Sequence, residues 1–158
     1  MKFSDFIHMD AINAEMEATE KEAVIRELVE GLAASGGLKK SDRNDIIEAI
    51  LDREEMGTTG IGRGIAVPHT KHNSVSKPIG TVGISSKGVD FKSLDGEPVQ
   101  LFFMLISPPD QRSEHLKALE NITKKLHDET FCRFLKQSRT AADVQQILAE
   151  ADDNQFVS

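Results

Sequence analysis

A Pro68–His69 pair closes the stretch GTTGIGRGIAVPHT, residues 57–70, whose first eight residues contain four glycines. Three kinds of chemistry could use such a stretch. The first is a loop that cradles a phosphate. A P-loop needs GxxxxGK[ST], and no Gly-Lys-Ser/Thr occurs here. The dinucleotide fingerprint needs GxGxxG directly after a strand and at the opening of a helix. Gly60, Gly62 and Gly64 give GxGxG instead, between a helical pattern and a strand-like one, which is the reverse order. The second is a metal centre, with His69 and His72 in HTKH and His115 further on as three imidazole ligands. No cysteine pair supports it, and no carboxylate follows His69 at the i+3 or i+4 position. Pro68 also argues that His69 ends a strand rather than riding a helix face, so no metal site is expected. The third is nucleophilic catalysis. A neutral imidazole, with an ordinary pKa of about 6.5, is available near neutral pH without a strong base and can form a covalent phosphoryl intermediate.

The elements that would position these residues can be read from periodicity. Thr19 opens TEKE, a capping box that predicts a helix with Ala23, Ile25, Leu28, Val29 and Leu32 on its apolar face, stopped by Ser35-Gly36-Gly37. Ser41 is expected to cap a second helix, which buries Ile46, Ile47, Ile50 and Leu51 and closes at Met56-Gly57. The period then changes: GIAVPH, TVGISS and VQLFFMLIS read as strands, separated by turn-rich segments. VQLFFMLIS is apolar almost throughout, as a central strand covered on both faces would be. After Pro108-Pro109, Ser113 is expected to cap a helix with Leu116, Leu119, Ile122 and Leu126 at helical spacing. Two shorter helices are expected near 129–137 and 140–150, with residues 151–158 as a frayed acidic tail. Helices before and after a block of strands predict an α/β fold: a three-layer α/β/α sandwich around a mixed β-sheet, with helices on both faces.

Composition narrows the function classes. The 158 residues suit one domain, spanning 1–158. A formal net charge of -7, with no Trp or Tyr, argues against nucleic acid, which calls for clustered cations and stacking platforms. The single cysteine, Cys132 in TFCRFL, excludes a disulfide framework and reads as a small buried apolar residue. MKFSDFIHMD has no apolar signal core, and the apolar run in VQLFFMLI is too short to span a bilayer. A cytoplasmic protein without membrane insertion is expected.

Taken whole, REEMGTTGIGRGIAVPHT (53–70) closely resembles the phosphorylation-site signature of enzyme IIA proteins of the bacterial phosphoenolpyruvate-dependent phosphotransferase system. The resemblance is to the fructose–mannitol type, nearest its nitrogen-regulatory branch. It runs from ATEKEAVIRELVEGLA through LFFMLISPPDQRSEHLKALENITKKL. It implies a histidine phosphoryl carrier, a phosphotransferase without cofactor or metal. His69 would be phosphorylated by a small HPr-like phosphocarrier protein, Arg53 would lie beside the phosphoryl group, and His115 would be the active-site neighbour. Added negative charge makes sense of a nearby guanidinium and imidazole N–H. Thr58 and Thr59 are candidate donors to phosphoryl oxygens, and Ile61 and Ile65 a candidate rim for the docking donor. Arg53 also suits the dipole of a helix C-terminus with no role in transfer. His8, His72 and His127 are read as surface residues. The family usually carries glycine or alanine after the histidine, where this chain has Thr70.

Two outlets for the phosphoryl group are open: an enzyme IIB acceptor in sugar transport, or regulatory targets that distinguish the phosphorylated from the free form. The absence of an attached IIB domain and the REEMG flank tilt the expectation towards regulation. A binding module that keeps the fold without being phosphorylated is the further alternative.

Overall fold

The apolar run of VQLFFMLIS needs cover on two sides, and the computed structural model, which describes residues 1–154, supplies it. In chain order the elements are α1 (Phe3–Phe6), α2 (Lys21–Ala34), α3 (Arg43–Glu55), β1 (Gly60–Gly62), β2 (Ile65–Ala66), β3 (His69–Lys71), β4 (Ile79–Val89), β5 (Val99–Ser107), α4 (Arg112–Leu126), α5 (Glu129–Gln137) and α6 (Ala141–Asp152). Two single 3-10 turns, Met9–Ala11 and Lys40–Asp42, complete the list.

The five strands form one mixed sheet with β5 at its centre. Antiparallel β4 takes one edge of β5, with Gly80 opposite Leu105 and Ile84 opposite Leu101. The other edge takes β2 and β3 in turn, both parallel: Ile65 faces Leu101, and His69 faces Leu105. β2 and β3 are thus one strand interrupted at Val67–Pro68, where proline has no N–H to give the ladder. β1 pairs antiparallel with β2, and isolated bridges from Ile7 and Asn13 line the outer side of β4, with one from Glu20 to Asp90 just past its end.

Alternation along β5 sorts its side chains between two cores. Leu101, Phe103 and Leu105 join α1, α4, α5 and α6 residues such as Phe3, Ile122, Phe131 and Leu148. Phe102, Met104 and Ile106 join α2 and α3 residues such as Ile25, Leu28, Ile46 and Ile50. Each large apolar side chain so buried stabilises the fold by about 1.5–3 kcal/mol relative to exposure. The sandwich is the three-layer α/β/α arrangement expected. Among the described residues, no helix is long and apolar enough to cross a membrane.

Helix starts differ from the sequence reading. α2 begins at Lys21 after Glu20, with no side-chain cap, so Thr19 does not form the capping box. Ser41 lies within the 3-10 turn, and Asp42 precedes α3. α4 starts at Arg112 because Gln111 N closes a turn onto Pro108 O at 3.1 Å, Gln111 O accepts from His115 N at 3.0 Å, and the Gln111 side chain donates to Ser76 O at 2.7 Å. Ser113 is exposed in the first turn. His115 and Ala118 share the buried face of α4 with Ile122 and Leu126, while Leu116 is 51% exposed. The expected tail is helical at its start: Ala151 is buried in α6, and the Asp152 carboxylate accepts from Phe3 N (2.7 Å) and Ser4 N (3.0 Å). Residues 155–158 lie outside the described residues. Cys132 is buried, its thiol donating to Leu126 O at 3.2 Å, and burial pushes its pKa up.

Candidate functional site

The last turn of α3 and the loop after it form one wall of the site. Arg53 is half-buried there and donates from Nη1 to Gly57 O at 2.9 Å. Its neighbour Glu54 points inward and is 6% exposed. Burial of a carboxylate is costly unless its oxygens are fully used. Here they accept from Lys21 Nζ at 2.9 Å, from Thr59 N at 3.2 Å, and from the Thr59 hydroxyl in a short hydrogen bond. Thr58 Oγ1 donates to Phe91 O (3.2 Å) and accepts from Gly60 N (3.0 Å). The α3–β1 loop is therefore fixed by its own side chains.

The glycines serve chain geometry rather than a phosphate. Arg63 and Gly64, with φ of 58° and 77°, make the tight two-residue turn between β1 and β2. Such a turn needs left-handed backbone at both central positions, the reason for a glycine there. Gly60 lies so close to Ser93 that a Cβ would come within 2.9 Å of its Cα.

The interruption between β2 and β3 creates the setting of His69. Val67 N turns towards the loop and donates to Thr59 O at 3.1 Å. The Val67 carbonyl faces the His69 ring, with Nδ1 2.7 Å away. A carbonyl only accepts, so Nδ1 carries the proton and Nε2 of neutral His69 carries the lone pair. His115, 5% exposed near the start of α4, stands across from it with ring centroids 5.8 Å apart and planes at 46°. Its Nδ1 lies 2.6 Å from the hydroxyl of Ser107, the last residue of β5.

Both rings are held neutral. Burial lowers the His69 pKa below its ordinary 6.5; the Val67 bond opposes this, the Arg53 charge adds to it, Glu54 opposes it and Lys71 adds to it. His115 is lowered to about 4, first by burial and then by the neighbouring His69 and Lys71 charges. A half-buried neutral imidazole beside a guanidinium and a second imidazole can accept an electrophile that brings negative charge.

The structure brings His69, His115 and Arg53 into one neighbourhood, since Arg53 acts on His69 and His69 on His115. Thr58 and Thr59 border it, but their hydroxyl protons go to Phe91 O and Glu54. Ile61 is 46% exposed on β1, whereas Ile65 is fully buried and offers no rim, because β2 sits between β1 and β5. Thr70 is half-buried, with a hydroxyl 3.5 Å from Lys71 O. His127 is exposed; His8 and His72 are half-buried, bonded to Ser35 O (3.1 Å) and the Ser74 hydroxyl (2.7 Å). Among the described residues, no group of three His, Cys, Asp or Glu side chains could hold a metal ion. Glu54, Ser107 and Lys71 were not singled out by sequence reasoning. Lys71 shares its strand face with His69 by the period of two, a signal that could have found it.

Comparison with known proteins gives the family of the chain. Residues 5–151 match the family described as phosphoenolpyruvate-dependent sugar phosphotransferase system, EIIA 2. The chain is 33% identical over 149 residues to a nitrogen regulatory protein of Bradyrhizobium diazoefficiens, covering 94% of this chain and 95% of that protein. It is 38% identical over 152 residues to a fructose-specific EIIABC component of Bacillus subtilis, covering 96% of this chain and 24% of that longer protein. The crystal structure of nitrogen regulatory protein IIA-Ntr from Neisseria meningitidis superposes with a TM-score of 0.82 at 29% identity, over 92% of this chain and 98% of that one. The chain belongs to the EIIA 2 family of the phosphoenolpyruvate-dependent sugar phosphotransferase system, whose members are phosphoryl carriers.

Proposed function

We propose that this carrier takes its phosphoryl group from a small HPr-like phosphocarrier protein onto Nε2 of His69. The observation that carries the reading is the 2.7 Å contact between His69 Nδ1 and Val67 O, which leaves Nε2 as the nucleophilic nitrogen. In the transfer, the Nε2 lone pair forms the new P–N bond as the donor's P–N bond breaks, and the departing nitrogen keeps that electron pair. The ring of phosphorylated His69 keeps its Nδ1 proton on the Val67 carbonyl. Transfer of this kind passes through a loose, in-line transition state, so positioning and charge stabilisation do most of the catalysis. Arg53 supplies positive charge, and releasing Gly57 O frees one further N–H for a phosphoryl oxygen. His115 supplies an N–H from the opposite side. Thr58 and Thr59 act through the loop they hold, with their hydroxyls already committed to it.

We read the output as regulatory, through protein partners that bind the phosphorylated and free forms differently, on the likeness to nitrogen regulatory proteins in sequence and fold. The 38% identity to a fructose-specific component favours a second reading, onward transfer to an enzyme IIB acceptor. Incubation with phosphoenolpyruvate, enzyme I and the phosphocarrier tests the first step. Acid-labile phosphate on the native protein that vanishes in His69→Ala supports it; no label on the native protein overturns it. Rapid, complete discharge onto a IIB chain would decide for transport over regulation.

A further inference from the structure

The two imidazoles of the site are tethered through the same ring atom, Nδ1, but to different kinds of partner. His69 meets a carbonyl, which can only accept. His115 meets the hydroxyl of Ser107, which can accept or donate. We propose that Ser107 is a positioning residue: its hydroxyl donates to Nδ1 of His115 and so holds that ring's only proton on Nε2, where it can be given to the phosphoryl group on His69. The role in transfer rests on His69 as acceptor; the direction of the Ser107 hydrogen bond does not.

Proton counting fixes that direction. Ser107 is fully buried, and its hydroxyl makes no hydrogen bond other than the one to His115 among the described residues. If His115 donated from Nδ1, the serine proton would be left without an acceptor inside the protein, an arrangement folded proteins avoid. If Ser107 donates, the buried hydroxyl proton has its partner, and the Nε2–H of His115, on an atom that is not fully buried, is left for the site. The serine itself cannot drift, because it ends β5: its backbone pairs with Lys71, and its carbonyl accepts from His72 N at 2.9 Å. His115 is equally fixed in the buried face of α4.

The choice of tautomer matters because the ring is neutral near pH 7, with burial the largest cause. A cationic ring would carry protons on both nitrogens and need no selection. A neutral ring of the other tautomer would present a lone pair to phosphoryl oxygens and repel them. The carbonyl at His69 and the hydroxyl at His115 thus give the pair complementary forms, one a nucleophile at Nε2 and the other a donor at Nε2.

Long-range 1H–15N correlation spectra of the 15N-histidine-labelled, unphosphorylated protein at pH 7.5 test the inference directly. The expected result is His115 in the Nε2–H form in the native protein and in Ser107→Thr, with a mixture of tautomers in Ser107→Ala. Phosphorylation of Ser107→Ala by the phosphocarrier should then slow by about tenfold, a smaller loss than removing a transition-state donor outright. A native His115 in the Nδ1–H form overturns the proposal, as does a Ser107→Ala variant that keeps both the Nε2–H form and the native rate. Failure of His69 to take phosphate leaves the tautomer result readable, and so separates the two ideas.

Discussion

At the scale of single residues, the site is a set of hydrogen bonds that decide which nitrogen is free. The Val67 carbonyl leaves the lone pair of neutral His69 on Nε2, and burial, by lowering the His69 pKa, favours that neutral ring. The phosphorylation rate should therefore fall on acidification with a midpoint below 6.5, as His69 is protonated and its lone pair lost. A pH profile of single-turnover transfer checks this; a midpoint at or above 6.5 would contradict it. Arg53→Ala should slow transfer and shorten the lifetime of the phosphorylated protein by about 10- to 100-fold, the range of a charge-assisted hydrogen bond worth about 1.5–3 kcal/mol. Arg53→Lys should recover part of it, since a point charge replaces a fork of donors. Stopped-flow transfer rates decide; native kinetics in Arg53→Ala would reduce the arginine to a helix-end charge. His69, Arg53 and His115 were legible in the sequence because residue type and motif context mark them. The Val67 carbonyl was not, since every residue has one and only the strand break aims it.

At the scale of elements, that break does the positioning. β2 and β3 share one edge of β5, and Val67–Pro68 between them turns one N–H to the α3–β1 loop and one carbonyl to the histidine. The loop is held from the other side by Glu54, whose buried carboxylate joins Lys21 on α2 to Thr59. Glu54→Ala should lower the unfolding free energy by about 3 kcal/mol, the low end for breaking a buried ion pair, because Lys21 keeps some contact with water. Denaturant titration reads this, and a loss under about 1 kcal/mol would show the network to be dispensable. At the far end of the chain, Thr140 and Asp143 form the capping box of α6. Thr140→Ala should lower the unfolding free energy by about 1 kcal/mol without affecting transfer. The strands and helix bodies were legible because burial imposes a period on their side chains. Helix starts were less so: Thr19, Ser41 and Ser113 have capping chemistry, but tertiary contacts such as Gln111 to Ser76 chose other first residues.

At the scale of the whole molecule, the sheet divides two cores and carries His69 to one edge of the central strand, with His115 facing it from α4. β5 contributes alternate residues to each core, which is why VQLFFMLIS is apolar without alternation and why the three layers could be read from it. Folding keeps His115 neutral at a pKa of about 4 against an ordinary 6.5. Between those values the unfolded chain binds more protons than the folded one, so stability rises with pH and is lost as pH falls from 6.5 towards 4. This one group contributes a slope of at most about 1.36 kcal/mol per pH unit. Urea titrations from pH 4.5 to 7.5 should show His115→Asn with a shallower dependence than the native chain. Parallel curves would mean that the ring is not held neutral by the fold.

The nitrogen to which phosphorus is attached in the phosphorylated protein tests the central claim most directly. Two-dimensional 1H–15N spectra of the 15N-histidine-labelled protein, recorded while phosphoenolpyruvate regenerates the label, identify it. Attachment to Nε2 of His69, with Nδ1 still protonated, is the predicted result. Phosphate on His69 Nδ1, or on His115, would contradict it.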